Sequence, residues 1–360
     1  MNLIQYKRKE KGRKMEKVDI ILATYNGEQF LSEQIESILN QTYKEFRLFI
    51  ADDCSTDKTR KIIEEYSKKD NRITAFYQEK NLGVVSNFEF LLKKVENRYF
   101  MFADQDDIWR HDKIEKSIKK IKESDSDLIY TDLEVVDSNL NTTYASYWKL
   151  KNIYHKIKKY NNFESLYLNN FVTGCTILAK KEIISKVLPL PKNSKYVLHD
   201  YWIPLIVSQN GKIDYIEEPL IQYRQHKNNK IGSKKKSDSI NNFKEMRDLF
   251  IDVKKQHFTV FIENEDKFEN EEIKSFNKKS LEYFKLLENI KYINFKSWKL
   301  FFKLYKYEEF GYKMQNFLIL NMPCIAKILF KIKKSLSKKA GENNKWFFCK
   351  LHFQLYYIRI

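Results

Sequence analysis

The residues with the clearest chemical potential are four consecutive polar side chains, Asp104-Gln105-Asp106-Asp107. Three carboxylates within four residues repel one another, and a divalent cation relieves that repulsion. Carboxylate oxygens suit the hard cations Mg²⁺ and Mn²⁺, which also bind diphosphate. A solvated acidic turn or a helix cap explains the same residues without a metal. Asp107 in particular is expected to be only a negative charge at a helix start.

Two earlier polar groups, like the acidic run, directly follow short apolar segments that are typical of buried strands. The first is Thr24-Tyr25-Asn26 and the second is Asp52-Asp53. Ligands of open α/β sheets bind at the carboxyl ends of parallel strands. We therefore expect the three groups to meet at one edge of a sheet and to bind one ligand there.

Strands and helices alternate over about 120 residues around these groups, which predicts a parallel, doubly wound sheet. Ser55 or Thr56 is expected to cap the helix after the second strand. Further along, the pattern predicts a strand over 173–179, a helix over 199–209 and a strand or hairpin over 212–222. The strands predicted in the alternating part are 18–23, 46–51, 73–77, 99–103 and 128–136.

The ordered set Thr-Tyr-Asn, Asp-Asp-x-Ser-x-Asp and Asp-x-Asp resembles the family 2 glycosyltransferases over roughly residues 17–230. This resemblance implies an α/β fold of the GT-A (nucleotide-diphospho-sugar transferase) type. Such a fold has a Rossmann-like mixed sheet with helices on both faces, here followed by a helical C-terminal region. It also implies an inverting transfer of a sugar from a nucleotide-diphosphate donor.

The resemblance assigns roles at the donor side. Asp106 would coordinate Mn²⁺ or Mg²⁺, and His226 would be a second metal ligand, although a lone histidine is as often a surface or core residue. Arg224 or a nearby lysine would pair with phosphate. The residues that would border the nucleotide are Thr24, Tyr25, Asn26, Asp52, Asp53 and Asp104.

The same resemblance places the acceptor side near His199-Asp200-Tyr201-Trp202. Asp200 would be the general base that deprotonates the acceptor hydroxyl, or it merely caps the helix. His199 stands where the family usually has Glu. Trp202 would stack on a sugar or belong to the core. Gly174 matches a small residue on the acceptor side.

The variant Asp-Gln-Asp-Asp-Ile-Trp resembles a subgroup of rhamnosyltransferases of bacterial surface polysaccharide synthesis. The donor would then be dTDP-rhamnose or a UDP-hexose, and the acceptor a glycan carried on a polyprenyl diphosphate. Residues 1–17 are polar and no run of about 18 apolar residues occurs, so neither a signal peptide nor a transmembrane helix is predicted. The four cysteines are widely spaced, so we expect reduced thiols and a cytoplasmic protein.

The C-terminal part mixes basic and aromatic residues, as in 296–312. It is expected either to pack as a helical bundle or to lie on the inner face of the bacterial plasma membrane. The predicted organisation is a charged leader (1–16), a catalytic domain (17–230), a linker (231–239) and this helical region (240–360).

The net charge of +18 leaves a second class of function open, a nucleic-acid-binding protein. Aspartates at the predicted binding edge argue against it, because they would repel a phosphate backbone, and we expect no nucleic-acid partner. A nucleotidyltransferase on a similar fold is a third alternative. It would need a Gly-rich loop bearing Lys or Arg after the first strand, where this chain has Thr24-Tyr25-Asn26-Gly27-Glu28.

Overall fold

The computed structural model describes residues 16–159, 162–226, 229, 243–288, 298–305 and 310–326. The chain divides into two compact units. The sheet unit consists of Met1–Tyr147, Val172–Leu190 and Gly211–Arg224, and the helical unit consists of Trp148–Phe171, Pro191–Asn210 and Gln225–Ile360. The segment predicted as one catalytic domain, 17–230, therefore contributes to both units. The predicted linker and all of the predicted leader except Glu16 lie outside the described residues.

Within the described residues, nine strands form one mixed sheet in the sheet unit. They are β1 Val18–Thr24, β2 Phe46–Asp52, β3 Ile73–Tyr77, β4 Tyr99–Asp104, β5 Ile108–Trp109, β6 Leu128–Val136, β7 Thr142–Tyr144, β8 Leu178–Lys180 and β9 Ile213–Arg224. Their order across the sheet is β3-β2-β1-β4-β8-β6-β9-β5, with β7 paired to β6.

The prediction of a parallel sheet holds for β1 to β4 and fails beyond them. β8 runs antiparallel to both β4 and β6, whereas β6 and β9 are parallel to each other. The predicted strand over 173–179 is wrong in its first half, because Gly174–Thr176 is a 3₁₀ turn. The Thr176 main-chain N–H and hydroxyl both donate to the Thr173 carbonyl and close that turn.

The helices flank the strands or form the helical unit. Those described are α1 Leu31–Leu39, α2 Thr59–Lys69, α3 Val84–Leu92, α4 Lys113–Ser124, α5 Tyr147–Leu150, α6 Tyr154–Lys159, α7 Phe163–Leu168, α8 Ile184–Val187, α9 His199–Val207, α10 Phe243–Glu263, α11 Glu271–Glu288, α12 Trp298–Leu304 and α13 Phe310–Asn321. The expected cap at Ser55 or Thr56 is wrong, since α2 begins only at Thr59. None of the described helices is both long and apolar enough to span a membrane.

Two buried cations organise the helical unit. Arg247 on α10 donates to the Leu287 carbonyl near the end of α11 and to the Ile319 carbonyl near the end of α13. Lys254, also on α10, donates to the Leu168 carbonyl at the end of α7. Helix C-termini present unsatisfied carbonyls and partial negative charge. One helix therefore supplies the capping cations for three others.

His257 on α10 predicts a pH-dependent stability of the helical unit. Its ring is buried against the rings of Tyr201, at 5.1 Å between centroids, and Phe261. Burial, and then the charge of Lys254, hold the pKa of His257 well below its usual value. The unfolded chain therefore binds a proton near pH 6.5 that the folded chain excludes, and stability must fall as the pH drops below 6.5.

We expect the wild type to lose roughly 2 kcal/mol of unfolding free energy through this histidine between pH 6.5 and pH 5. Between the same two pH values, the unfolding free energy of the His257→Phe variant should fall by roughly 2 kcal/mol less than that of the wild type. This difference does not depend on the variant's stability at pH 7. Urea unfolding followed by circular dichroism at both pH values measures the difference. An equal loss of unfolding free energy in the two proteins would show that His257 does not cause the pH dependence.

Candidate active site

Strand register brings the predicted polar groups to the same level of the sheet. Thr24 pairs with Asp52 across β1 and β2, and Ala23 pairs with Asp104 across β1 and β4. All three strands are parallel, so their carboxyl ends form one edge. The expectation that the three groups meet at a sheet edge is confirmed. We call this place the carboxyl edge.

Gln105 joins the acidic run to the first polar group. Its Oε1 accepts hydrogen bonds from the Thr24 hydroxyl at 2.6 Å and from the Tyr25 main-chain N–H at 2.8 Å. Its Nε2 donates to the Tyr25 carbonyl at 3.2 Å. The amide thus pairs with the Tyr25 main chain as a neighbouring strand would. Sequence reasoning treated Gln105 as a spacer between aspartates, and its pairing could not be read from the residue type.

We call the contacts of the Gln105 amide with Thr24 and Tyr25 the amide clamp. The amide clamp requires a glycine at position 27. A Cβ at Gly27 would lie 2.6 Å from the Gln105 Oε1 and 2.9 Å from the Thr24 hydroxyl. A side-chain carbon does not approach a non-bonded oxygen so closely, so any larger residue must displace the Gln105 amide. The glycine therefore follows from close packing between two loops.

A second set of contacts joins the loops that follow β1 and β2. The Asn26 main-chain N–H donates to the Ser55 hydroxyl at 2.8 Å, and its side-chain oxygen accepts from the Thr56 N–H at 2.9 Å. Asn26 adopts a left-handed conformation, with φ of 49°, which asparagine tolerates better than most residues. Asp57 accepts from the Glu28 N–H at 3.0 Å. These contacts explain why Ser55 and Thr56 do not cap α2.

The two aspartates at the end of β2 are buried and held by different groups. Asp52 accepts from the Arg60 guanidinium at 2.7 Å and from the Ser55 N–H at 3.1 Å. Asp53 accepts from the main-chain N–H groups of Leu82 and Gly83 at 2.7 and 2.9 Å. Both carboxylates thus fix the walls of the carboxyl edge.

The acidic run is a turn in which exposure decreases towards its end. Asp104 and Asp106 are half-buried, whereas Asp107 is fully buried and precedes the short strand β5. The expectation that Asp107 is a charge at a helix start is therefore wrong. Burial, followed by the charges of Asp106 and Asp104, raises the pKa of Asp107 well above its usual value.

Lys113 and Cys175 share the buried surroundings of Asp107. Burial lowers the pKa of the fully buried Lys113 to about 7, and its ammonium lies 3.4 Å from the centre of the Trp109 ring. Burial, followed by the charge of Asp107, raises the pKa of the Cys175 thiol. The Lys113 amine, the Cys175 thiol and the Trp109 ring therefore surround Asp107 inside the sheet unit.

The acidic turn fits a hard divalent cation. Neither oxygen of the Asp107 carboxylate makes a well-formed hydrogen bond within the described residues, although the Cys175 thiol and the Arg224 main-chain N–H act to lower its pKa. Ligand atoms of Asp104, Asp107 and Cys175 lie within 4.8 Å of one another. Carboxylates crowded at one place repel one another, and a bound cation relieves that repulsion. The buried thiol is the poorest partner for Mg²⁺ or Mn²⁺, so the carboxylates of the turn are the better ligands.

Arg224 corrects one expectation about phosphate. Its side chain is only 2% exposed and donates to the main-chain carbonyls of Asp106 and Ser138 and to the Glu33 carboxylate. A guanidinium that is buried and engaged in this way does not pair with a donor phosphate.

The predicted acceptor residues lie on two units. Gly174, in its 3₁₀ turn, belongs to the sheet unit, whereas His199, Asp200 and Trp202 lie on α9 of the helical unit. Asp200 is buried in the first turn of α9 and accepts from the Asn170 amide at 3.3 Å. Trp202 is fully buried against the Phe261 and Phe268 rings. A ring packed in this way is a core residue, so sugar stacking, one of its two expected roles, is not available to it.

His226 belongs to the helical unit and lies two residues past the end of β9. Its main-chain N–H donates to the Asn229 side chain. A metal-ligand role for its ring remains a prediction.

Comparison with known proteins decides the family. Residues 19–188 match the family described as "Glycosyl transferase family 2". The chain is also 32% identical to the "dTDP-rhamnosyl transferase RfbG" of Shigella flexneri, over 59% of this chain and 74% of that protein. The chain belongs to glycosyl transferase family 2. It is an enzyme, a glycosyltransferase that acts on nucleotide sugars.

A second relative and a solved structure agree with the assignment of this chain to the glycosyltransferases. The chain is 27% identical to the "UDP-Glc:alpha-D-GlcNAc-diphosphoundecaprenol beta-1,3-glucosyltransferase WfgD" of Escherichia coli, over 64% of this chain and 82% of that protein. Its fold is similar to that of Staphylococcus aureus TarS 1–349 solved in complex with UDP-GlcNAc. That likeness has a TM-score of 0.52 and 17% identity, and it covers 84% of this chain and 81% of the other. The expected GT-A fold is confirmed.

The amide clamp predicts a specific loss of nucleotide binding. Gln105→Ala removes one hydrogen bond from the Thr24 hydroxyl and two that hold the Tyr25 main chain. We expect the dissociation constant of the preferred nucleoside diphosphate to rise about tenfold, as the loss of roughly 1.4 kcal/mol of preorganisation implies. Isothermal titration calorimetry with UDP and dTDP measures it.

The control is Gln29→Ala, which removes an exposed amide from the loop after β1. It should leave the dissociation constant unchanged. Equal affinities of the Gln105→Ala variant and the wild type would show that the clamp does not preorganise the donor loop.

Proposed function

We propose that the protein is an inverting glycosyltransferase that moves a sugar from dTDP-rhamnose or a UDP-hexose to a hydroxyl of a cell-surface glycan carried on a lipid diphosphate. The carboxyl edge carries this proposal: the loops after β1, β2 and β4 converge there and are joined to one another by Gln105 and Asn26. The names of two relatives support the donor and acceptor classes, since one is named for dTDP-rhamnosyl transfer and another for a diphosphoundecaprenol acceptor.

At the donor end, Thr24, Tyr25 and Asn26 would border the base and ribose, with Asp52 and Asp53 forming the adjacent wall. Tyr25 is 40% exposed, so its ring is accessible to a nucleotide base. Main-chain groups fixed by neighbouring loops present constant hydrogen-bond geometry to the donor.

Asp106 would hold the divalent cation, Mn²⁺ or Mg²⁺, with Asp104 beside the ribose. His226 stays a proposed metal ligand. When bound, such a cation stabilises negative charge on a nucleoside-diphosphate leaving group. Asp106 suits this role better than Asp107, because Asp106 is half-buried and Asp107 has no contact with solvent.

At the acceptor end, Asp200 would take the proton from the attacking hydroxyl, and His199 and Gly174 are proposed acceptor-side residues. The Asn170 amide donates to one Asp200 oxygen and fixes the orientation of the carboxylate. A carboxylate held in this way can accept a proton without reorganisation.

We expect Asp106→Asn to reduce glycosyl transfer at least about a hundredfold, and Asp200→Asn to reduce it about 10²- to 10⁴-fold. Asp106→Asn should also abolish the Mn²⁺-dependent thermal shift with UDP or dTDP, whereas Asp200→Asn should retain it. Release of nucleoside diphosphate from each donor in the presence of a polyprenyl-diphosphate-linked sugar measures transfer.

Asp125→Asn is the matched control. Asp125 is an exposed aspartate in a left-handed conformation that asparagine tolerates, and its substitution should preserve transfer. Full activity of both Asp106→Asn and Asp200→Asn would contradict the proposed roles.

The distribution of charge supports a peripheral membrane contact through the helical unit. The sheet unit carries 30 lysines and arginines against 31 aspartates and glutamates, so 36 of the chain's 66 basic residues and only 17 of its 48 acidic residues belong to the helical unit. The net charge of +18 therefore comes entirely from that unit. On α12, Lys299, Phe302 and Lys303 are exposed at helical spacing. Such a face suits the anionic surface that presents a lipid-linked acceptor.

We expect the protein to sediment with vesicles rich in phosphatidylglycerol and not with vesicles of phosphatidylcholine alone. Replacing Lys299 and Lys303 by Glu should weaken binding at least about tenfold, since each basic residue near an anionic surface contributes about 1 kcal/mol. Replacing Lys61 and Lys68, which are exposed on α2 of the sheet unit, is the control. Equal weakening by both pairs would indicate unspecific charge attraction.

A further inference from the structure

Arg224 is a permanently charged residue in an unusual place. It ends β9, and its side chain is only 2% exposed. Burial of a guanidinium costs several kcal/mol unless hydrogen bonds and an opposite charge compensate it. The contacts of this side chain therefore show what the buried charge stabilises.

The guanidinium joins three segments that surround the carboxyl edge. Its Nε donates to the Asp106 main-chain carbonyl at 3.0 Å, and its Nη1 donates to the Ser138 carbonyl, in the loop after β6, at 3.1 Å. Its Nη2 pairs with the Glu33 carboxylate in the first turn of α1. The group lies 4.3 Å from the centre of the Phe30 ring, just before α1.

The main chain of the same residue supports the acidic turn from the other side. The Arg224 N–H approaches the carboxylate of the buried Asp107 and acts to lower its pKa. Next to it, Gln222 and Ile221 of β9 pair with Ile108 and Trp109 of β5. The end of β9 therefore fixes the turn through main-chain pairing and through one side chain.

Arg224 is the part of this arrangement that reaches Asp106. A guanidinium presents several donors in a rigid plane, so it fixes the position of a carbonyl relative to the carboxylate and carbonyl that it also binds. When the carbonyl of Asp106 is fixed, the directions open to its side chain are restricted. Groups that orient metal ligands in this way contribute about ten- to a hundredfold to metal affinity.

We infer that Arg224, paired with Glu33, is a positioning residue that holds Asp106 in the orientation in which it binds the divalent cation. This inference rests on the proposed metal role of Asp106. Arg224 itself touches neither the donor nor the cation.

The matched control is Arg47, an arginine with similar partners at the opposite edge of the sheet. It pairs with the buried Asp19 at 2.9 Å and lies 4.9 Å from the centre of the Phe49 ring. Asp19 lies near the amino end of β1 and Arg47 near the amino end of β2, so both are at the far end of these strands from the carboxyl edge. Arg47→Lys therefore replaces a guanidinium that pairs with carboxylates without touching the acidic turn.

The test measures Mn²⁺ binding directly in the full-length protein, by the loss of the free-ion electron paramagnetic resonance signal in the presence of saturating UDP or dTDP. Arg224→Lys should raise the Mn²⁺ dissociation constant about tenfold. Arg47→Lys should leave it unchanged. In transfer assays, the Mn²⁺ concentration for half-maximal rate should rise for Arg224→Lys, with the maximal rate at saturating Mn²⁺ largely restored.

Equal Mn²⁺ affinity of Arg224→Lys and the wild type, or equal weakening by Arg47→Lys, would overturn the inference. If Arg224→Lys does not fold, Glu33→Gln decides, because it keeps the guanidinium and removes only the charge of its partner. If Glu33→Gln weakens Mn²⁺ binding, by less than the tenfold expected of Arg224→Lys, the inference is supported. If Glu33→Gln leaves Mn²⁺ binding unchanged, the inference is overturned. If the wild-type protein does not bind Mn²⁺ in the presence of either UDP or dTDP, the metal role of Asp106 is refuted and this inference with it.

Discussion

Crowding of negative charge at the end of β4 is the constraint on which the site depends. Among the residues that the structure describes, none makes a well-formed hydrogen bond to the buried Asp107 carboxylate, and the charges of Asp104 and Asp106 raise its pKa beyond the effect of burial. Burial of a carboxylate without an opposite charge favours its neutral form, because a buried charge is expensive. The guanidinium of Arg224 supplies a permanent positive charge beside the turn. We propose that the accessible side of the turn binds a cation and a diphosphate.

Hydrogen bonds between side chains and main chain convert this crowded edge into a defined site. Gln105 fixes Thr24 and Tyr25, and Asn26 binds Ser55 and Thr56 in the next loop. Each contact is modest in free energy, but together they fix the loops before any donor arrives. Preorganisation of this kind reduces the entropy lost on binding and places the donor groups where charge develops during transfer.

The sequence predicted what depends on strand pattern and failed where contacts between loops decide. The position of Asp52 and Asp104 at one edge follows from parallel strands, and the register confirms it. The pattern gave Asp107 the role of a helix charge, because burial depends on β5 and β9, which lie far apart in the chain. Arg224 was assigned to phosphate for the same reason: a residue type does not show which carbonyls fold against it. Trp202 illustrates the converse case, since an aromatic residue on an apolar helix belongs to the core more often than to a site.

We propose that the carboxyl edge is a cation-assisted site for a nucleoside diphosphate. A crystal structure of the protein soaked with Mn²⁺ and UDP or dTDP, with anomalous scattering recorded at the manganese edge, tests this proposal. We predict one anomalous peak between the Asp106 carboxylate and the diphosphate, with the base beside Tyr25. A nucleotide bound away from the ends of β1, β2 and β4, or manganese bound without contact to Asp106, would contradict it.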